Sequence, residues 1–303
     1  MMKMTFPWYG DKDPITIDHL NYLRGINGIS LADNDFPAGE ALPAECLLAQ
    51  REKAESAGYV CDILEDLPVH RDIKLRCGEY GRYIDNYKEN IASLAEAGIR
   101  VIGYGFAPEE GDGFQALGSE GLWANLASFV REIVPVAIRN GVSLAFRLGG
   151  PCAPGSGMQS LIAGEGDIDR FLSLHGAPCH GIAMSSVNLE SSGFEAYLGM
   201  INKYVATGRI HYALLRDVKA KEDCSFEETA HCSPYDSRDM VKILTAYHET
   251  GYNGYARFDH SRMGLSGEPN FDMYDRTVGT MYVTGILLTL DSRVKAAPKE
   301  KIA

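Results

Sequence analysis

The chain has 303 residues, of which 45% are apolar and 23% charged, and its formal net charge is −12. The composition is typical of a globular protein with a sizeable core, and the excess of acidic groups repels nucleic-acid phosphates and anionic lipid headgroups. It therefore argues against a nucleic-acid or membrane partner and favours a small-molecule ligand.

Short runs rich in β-branched or aromatic residues alternate with longer amphipathic runs, and the alternation occurs eight times along the chain. Glycine follows most amphipathic runs directly before the next short run, as expected where a helix ends and a strand begins. The predicted strands cover residues 5–10, 28–32, 59–67, 100–106, 142–148, 181–187, 209–218 and 252–260. The predicted helices cover roughly 15–23, 43–57, 81–97, 121–140, 165–175, 193–206, 237–250 and 275–290.

Eight strand–helix units predict a closed parallel (β/α)8 barrel, the TIM-barrel form of the α/β class. An open doubly wound sheet is the main alternative, but the nucleotide-binding fingerprints are missing. The segment GYGF (103–106) lacks the third glycine, and LGGPCAPGSG (148–157) lacks the Lys-Ser/Thr of a phosphate loop. We expect one barrel over residues 1–290, followed by a loose tail over 291–303.

The cysteines and the N-terminus indicate a cytoplasmic protein. Seven scattered cysteines, with no C-x-x-C pair, are typical of reduced thiols. The first residues lack the apolar core of a signal peptide, and the longest apolar stretch, 277–290, is too short to span a bilayer.

In a parallel barrel the functional groups lie at the carboxyl ends of the strands. There this chain is rich in basic groups that suit a carboxylate, in acidic and amide groups that suit hydroxyls, and in His and Tyr that suit proton transfer. The candidate catalytic residues are His260, Tyr274 and Asp259, and the candidate substrate-binding residues are Arg147, Arg216, Lys219, His70, Trp8, Arg262, Arg276 and His231.

Each candidate also has a structural interpretation. Asp259 and His260 could form a helix-capping corner, Arg147 could be the arm of an ion pair, and His70 in LPVHRD could anchor a loop. Tyr274 could pack against the barrel wall. His231 beside Cys232 resembles half a metal site, but no matching second pair accompanies it, which favours a structural loop.

Several segments resemble the mannonate dehydratases along most of the chain. They are FPWYGDKDPITI at the start, EDLPVHRDIK (65–74), RYIDNYK (82–88), GLWANL (121–126), RIHYALLRDVK (209–219), FEETAH (226–231), RFDHSRM (257–263) and MYDRTVG (273–279). The resemblance implies a xylose-isomerase-like barrel, a homodimer or higher homo-oligomer, and a sugar-acid substrate. It also implies that a divalent metal, commonly manganese, assists the loss of water from D-mannonate to give 2-keto-3-deoxygluconate.

The family's metal ligands are mostly replaced in this chain. By the resemblance, a ligand His falls on Arg147, a ligand Cys on Ser185 and a second ligand His on Leu214, so that Asp259 is the only ligand retained. One carboxylate and one hydroxyl are too few donors for Mn2+ or Zn2+. We therefore predict no cofactor, and manganese or another divalent metal only if unfamiliar ligands hold it, for example Asp259, His260, Glu65 and His231.

Three functions remain open. The first is a mannonate dehydratase-like enzyme that acts on a sugar acid or a related keto or polyol substrate by acid–base chemistry, as a lyase or, next, as an isomerase or epimerase. In this hypothesis Arg147 takes the place of the metal and His260 or Tyr274 moves the proton. The second is an inactive relative that binds a sugar acid, and the third is an enzyme with a rebuilt metal site.

Overall fold

The structure is a computed structural model that describes residues 2–23, 25–32, 36–42, 44–107, 112–148, 161–162, 164–186, 193–216, 218–220, 226–228, 239–258 and 271–296. For residues 218–220, 226–228, 271–275, 293–296 and a few others, the described part is the backbone alone.

Eight parallel strands close into a barrel, as the sequence predicts. The strands are β1 (Lys3–Trp8), β2 (Gly28–Leu31), β3 (Val60–Leu64), β4 (Val101–Tyr104), β5 (Ser143–Arg147), β6 (His180–Ser185), β7 (Ile210–Leu215) and β10 (Tyr255–Phe258). The order around the barrel is β1-β10-β7-β6-β5-β4-β3-β2, and β1 closes the ring by pairing with both β10 and β2. The (β/α)8 barrel is therefore confirmed.

Helices follow the strands and cover the outside of the barrel. They are α1 (Ile17–Leu20), α2 (Ala44–Ser56), α3 (Arg71–Leu75), α4 (Tyr80–Glu96), α5 (Asp112–Asn140), α6 (Glu165–Ser173), α7 (Phe194–Ala206), α8 (Met240–Glu249) and α9 (Phe271–Ala296). A 3-10 turn (Gly10–Lys12) precedes α1. Helix α5 bends at Gly118, whose φ of 66° and ψ of 175° interrupt the helical backbone.

Several elements differ from the prediction. The predicted seventh strand runs to residue 218, but β7 ends at Leu215, and β8 (Val218–Ala220) pairs instead with β9 (Phe226–Glu228) in an antiparallel hairpin. The short helix α3 was not predicted. Helix α9 continues through Ala296, past the start predicted for the tail at 291, whereas residues 297–303 lie outside the described residues.

Two apolar layers hold the barrel together. The larger layer lies between the strands and the helices, while a smaller one fills the inside of the barrel and contains Ile63, Val101, Ala145, Ala183, Tyr212 and Leu214. Because side chains alternate along a strand, residues two positions after an inner one, such as Arg147 after Ala145 and Ser185 after Ala183, share its inner face. The carboxyl ends of β5, β6 and β7 therefore present Arg147, Ser185 and Leu214 toward the inside of the barrel.

Helix α5 is apolar enough over Ala116–Asn140 to cross a membrane by length and composition. In its most apolar window, 56% of the residues are buried inside the fold. A core helix passes the same test, and α5 packs against α4 and the barrel.

Candidate active site at the carboxyl ends of the strands

The end of β3 carries two consecutive carboxylates, Glu65 and Asp66. The chain stays extended beyond β3, because the Glu65 N–H donates to the Leu31 carbonyl at 2.9 Å and the Leu67 N–H donates to the Gly103 carbonyl at 2.7 Å. A side chain at position 103 would collide with the Glu65 carbonyl, which lies 1.9 Å from where its Cβ would stand. The glycine in β4 therefore allows the backbone of Glu65 to approach closely.

Glu65 lies inside the barrel and its carboxylate is fully partnered. Its Oε1 accepts hydrogen bonds from the Ser30 hydroxyl at 2.5 Å and the Tyr212 hydroxyl at 3.2 Å, and its Oε2 lies 2.8 Å from Arg257 Nη2. The Tyr212 hydroxyl also lies 3.0 Å from Thr5 Oγ1. All of these side chains are buried, and burial, followed by the negative charge of Glu65, raises the pKa of Tyr212. A buried charge pair needs such partners to offset its desolvation.

Asp66 has a different environment at the rim of the barrel. Its Oδ2 lies 3.7 Å from Arg147 Nη1, which is an ion-pair distance but too long for a hydrogen bond, and the two side chains are 26% and 36% exposed. Burial raises the pKa of the Asp66 carboxyl, while Arg147 and Lys74 lower it and Glu65 raises it further; the net shift is upward. The pair is therefore open to solvent and to a ligand.

Two predicted substrate-binding residues have structural partners. Arg276 is 1% exposed, and its guanidinium donates to both carboxylate oxygens of Asp13, at 2.9 and 2.7 Å, and to the Pro7 carbonyl at 2.9 Å. It also stacks over the rings of Phe6 and Tyr9. Asp13 in turn accepts from the N–H groups of Tyr9 and Ile15. Arg276 therefore binds the carboxylate of Asp13 and not that of a substrate, and it connects α9 to the loop after β1.

His70 caps α3, since its Nδ1 accepts from the Asp72 N–H at 3.0 Å, and its ring stacks on Tyr83 with 3.8 Å between the centroids. This matches the alternative in which His70 anchors a loop.

Trp8 lies on the helix-facing side of β1, because Thr5, three residues earlier, contacts the inner residue Tyr212. Its side chain packs in the outer apolar layer and lines a groove of about 720 Å³ between the loop after β1 and α2. The structure therefore directs Trp8 away from the inside of the barrel.

Arg216 follows β7, and its backbone exchanges two hydrogen bonds with the hydroxyl of Ser186, at 2.8 and 2.6 Å. These bonds hold the ends of β6 and β7 together at the mouth of the barrel. The remaining predicted site residues are Asp259, His260, Arg262 and His231, which lie outside the described residues, and Lys219 and Tyr274, of which the structure describes the backbone alone.

The positions that correspond to the family's metal ligands do not fit a divalent cation. Among them, the described ones supply a guanidinium from Arg147, a hydroxyl from Ser185 and an alkyl group from Leu214, whereas Mn2+ and Zn2+ require several carboxylate, imidazole or thiolate donors. Within the described ranges, no cluster of three or more His, Cys, Asp or Glu side chains is placed to hold a metal ion. The nearby carboxylates of Glu65 and Asp66 each face a guanidinium instead.

Sequence reasoning considered Glu65 only as an unfamiliar metal ligand, missed the roles of Arg257 and Tyr212, and gave Asp66 no role. The signal for the carboxylates was present, because both directly follow the third predicted strand. The pairing of Glu65 with Tyr212 joins residues 147 positions apart, and no local pattern reveals it.

Comparison with known proteins agrees with the barrel and the motifs. The family model described as D-mannonate dehydratase (UxuA) matches residues 2–112 and 108–297. Mannonate dehydratase 2 of Halalkalibacterium halodurans is 31% identical over 339 residues, covering 94% of this chain and 98% of that protein.

Two solved structures extend the comparison. A mannonate dehydratase from Streptococcus suis serotype 2 superposes with a TM-score of 0.85 at 28% identity, covering 98% of this chain and 96% of that one. An L-ribulose 3-epimerase superposes with a TM-score of 0.64 at 14% identity, covering 99% of this chain and 100% of the other, which shows a shared fold alone.

Proposed function

Because the chain belongs to the D-mannonate dehydratase family, we propose that this lyase removes water from a sugar acid by acid–base chemistry, with the guanidinium of Arg147 in the place of the family's metal. The observation that supports this most is the open position of Arg147. It stands on the inner face at the end of β5, more than a third of its side chain is exposed, and its nearest described carboxylate is 3.7 Å away.

A guanidinium suits the carboxylate of a sugar acid. It presents a planar fork of N–H donors that can bind both oxygens of one carboxylate, and it keeps its positive charge at any physiological pH. By the resemblance, the family's metal, thiolate and carboxylate sum to zero charge, and Arg147 with Asp259 also sum to zero. The substitution thus preserves the local charge while it exchanges a Lewis acid for a directional donor.

Proton transfer in this proposal belongs to the residues after β10. His260, as the counterpart of the family's catalytic His, removes the proton from the carbon next to the carboxylate. Asp259 orients it, and Tyr274 acts as an auxiliary acid. Arg147 stabilises the negative charge that develops on the carboxylate as the proton leaves.

The acidity of the substrate limits its identity. A proton next to a carboxylate is much less acidic than one next to a ketone or aldehyde, so a single guanidinium gives less support to the anion than a divalent metal does. Hexuronates and keto sugars therefore belong in the substrate panel beside D-mannonate, because their α-protons are easier to remove.

The composition supports the remaining features that we propose. A net charge of −12 disfavours nucleic-acid and membrane partners, and seven scattered cysteines suit a cytoplasmic protein. We also propose a homodimer or a higher homo-oligomer, which light scattering after size-exclusion chromatography tests directly.

The test combines metal analysis with turnover. Purified protein, with and without chelator, is incubated in D2O with D-mannonate, hexuronates and keto sugars, and NMR follows product and deuterium incorporation. We expect at least one sugar acid to react in the presence of chelator. Tight stoichiometric metal, or activity that chelator abolishes and Mn2+ restores, would contradict the proposal. A wild-type protein that neither forms product nor exchanges protons would contradict the proposed activity and favour the inactive, sugar-acid-binding alternative.

A matched pair of variants tests Arg147. Arg147→Lys keeps the charge but removes the fork, and we expect kcat/KM to fall by about 10-fold to 100-fold. Arg139→Lys, an exposed position at the end of α5, is the control and should behave as wild type. Equal activity of both variants would exclude bidentate binding by Arg147.

A further inference from the structure

The pair formed by Arg147 and Asp66 spans a strand. Asp66 follows β3 and Arg147 ends β5, while β4 lies between these two strands. Gly105 directly follows β4, and a Cβ at this position would meet no atom of the described residues within 4 Å. Because Arg147 lies 3.7 Å from Asp66, a small molecule bound by the Arg147 guanidinium would lie close to the carboxyl group of Asp66.

The two carboxylates after β3 differ in their freedom to react. Glu65 accepts two hydroxyl hydrogen bonds and pairs with Arg257 at 2.8 Å, and it is almost fully buried. Both oxygens of the Glu65 carboxylate therefore already have partners within the protein. Asp66 makes no hydrogen bond with a described side chain, and its one ion pair within the described part of the chain is 3.7 Å long. Of these two neighbours, Asp66 is the one that can exchange a proton with a ligand.

We propose that Asp66 is a further catalytic residue of this site: its carboxyl group gives the proton that turns the departing hydroxyl of the sugar acid into water. The inference rests on the proposed function, because it needs Arg147 to hold the substrate carboxylate beside Asp66. It assigns the proton of the departing hydroxyl to Asp66 in place of Tyr274, and sequence reasoning gave Asp66 no role.

The step balances in atoms and charge. The C2–H bond breaks and its proton goes to the base, which is His260 in the proposed function. The electron pair forms the C2=C3 double bond as the C3–O bond breaks, and the leaving oxygen takes the proton of Asp66 to become water. The enol then tautomerises to the 2-keto acid. Proton return from the base to Asp66 through solvent restores the enzyme.

The surroundings of Asp66 favour this role. Burial raises the pKa of its carboxyl and outweighs the opposing effects of Arg147 and Lys74, while the adjacent Glu65 raises it further. Burial is the main reason why the pKa of the nearby Tyr87 phenol is raised, and the charges of Tyr104 and Asp66 raise it further. A carboxyl that holds its proton more firmly than usual is better suited to donate it at neutral pH.

A change of leaving group tests the proposal. Fluoride departs from carbon without a proton, so 3-deoxy-3-fluoro-D-mannonate bypasses the acid, whereas D-mannonate needs it. In Asp66→Asn we expect kcat for water loss to fall by about 100-fold or more, while fluoride release stays within about threefold of wild type. Asp66→Glu should regain part of the water loss. Asp85→Asn, which removes an exposed carboxylate 3.4 Å from Lys88 on α4, is the control for both reactions.

The outcomes separate this inference from the proposed function. If Asp66→Asn loses water elimination and fluoride release equally, Asp66 only positions Arg147 and the inference is wrong. Unchanged water loss in Asp66→Asn also overturns it. A wild-type protein inert toward both compounds and the rest of the substrate panel contradicts the proposed function itself.

Discussion

Two arginine–aspartate pairs in this molecule have the same chemistry and opposite environments. Arg276 and Asp13 are almost completely buried and share two hydrogen bonds of 2.7 and 2.9 Å. Arg147 and Asp66 are partly exposed and 3.7 Å apart. Both arginines follow from the sequence as substrate-binding candidates. The comparison shows that burial and saturation with partners distinguish a structural arginine from one that is available to a ligand.

A third pair, Glu65 with Arg257, shows that position alone does not make a group available. It lies inside the barrel, close to the same mouth as Asp66, yet its carboxylate is satisfied by Ser30, Tyr212 and Arg257. We interpret this cluster as the polar floor of the site, which fixes β3 against β10 and β2. The open pair lies at the rim beside it.

The largest expected effect comes from breaking the buried pair. Asp13→Ala leaves the Arg276 guanidinium buried without its carboxylate and removes the acceptor of two backbone N–H groups. We expect the free energy of unfolding to fall by about 3–5 kcal/mol, measured by urea denaturation. Asp66→Ala is the matched substitution at the open pair and should change it by less than about 1 kcal/mol. If the free energy of unfolding falls by a similar amount in both variants, Arg147–Asp66 is a structural pair like Arg276–Asp13.

A smaller effect is expected from the floor of the site. Tyr212→Phe removes the hydroxyl that lies between Glu65 and Thr5, and we expect a loss of about 1–3 kcal/mol. Tyr104→Phe is the control, because Tyr104 is equally buried and its hydroxyl has no hydrogen-bond partner among the described residues. That variant should be neutral or slightly more stable. If Tyr104→Phe loses more stability than Tyr212→Phe, the hydrogen bonds of Tyr212 do not stabilise the barrel.

The sequence predicts the barrel well because the relevant information is local. Each strand is a short β-branched or aromatic run and each helix an amphipathic one, so all eight strands lie within a few residues of their predicted positions. The hairpin of β8 and β9 was missed because its three-residue strands are too short to show a period. Periodicity also identifies which strand ends carry polar groups.

The sequence does not reveal which of those groups are free. Arg276 pairs with Asp13, which lies 263 residues earlier in the chain. A local sequence pattern cannot predict an ion pair between residues so far apart. Trp8 was assigned to the mouth because it ends β1, but alternation along the strand directs it toward the helices. The sequence therefore predicts at which end of the barrel the site lies. Which of the polar residues there are available to a ligand depends on their partners in the folded structure.

The smallest expected effect is the contribution of Asp66 to the free energy of unfolding. This contribution changes with pH, and the change can be measured. The folded state raises the pKa of Asp66 above the usual value of 3.8, with burial as the main cause, so the folded protein binds this proton more tightly than the unfolded chain does. Below the unfolded pKa both states are protonated and Asp66 contributes nothing. As the pH rises, the unfolded chain ionises first, and the folded state bears the cost of a partly desolvated carboxylate.

Asp66→Asn removes that cost together with a long, partly exposed ion pair of little energy. We therefore expect the variant to match wild type near pH 3.5 and to become the more stable protein toward pH 7, by less than about 1 kcal/mol. Urea denaturation at a series of pH values measures the difference, and Asp85→Asn corrects for the general loss of a negative charge. If the variant instead becomes less stable than wild type as the pH rises, Arg147 stabilises the charged form of Asp66. The Arg147–Asp66 pair would then be a structural ion pair, like Arg276–Asp13. A variant that gains stability while it loses water elimination would show that Asp66 is kept at the mouth for reaction at the expense of stability.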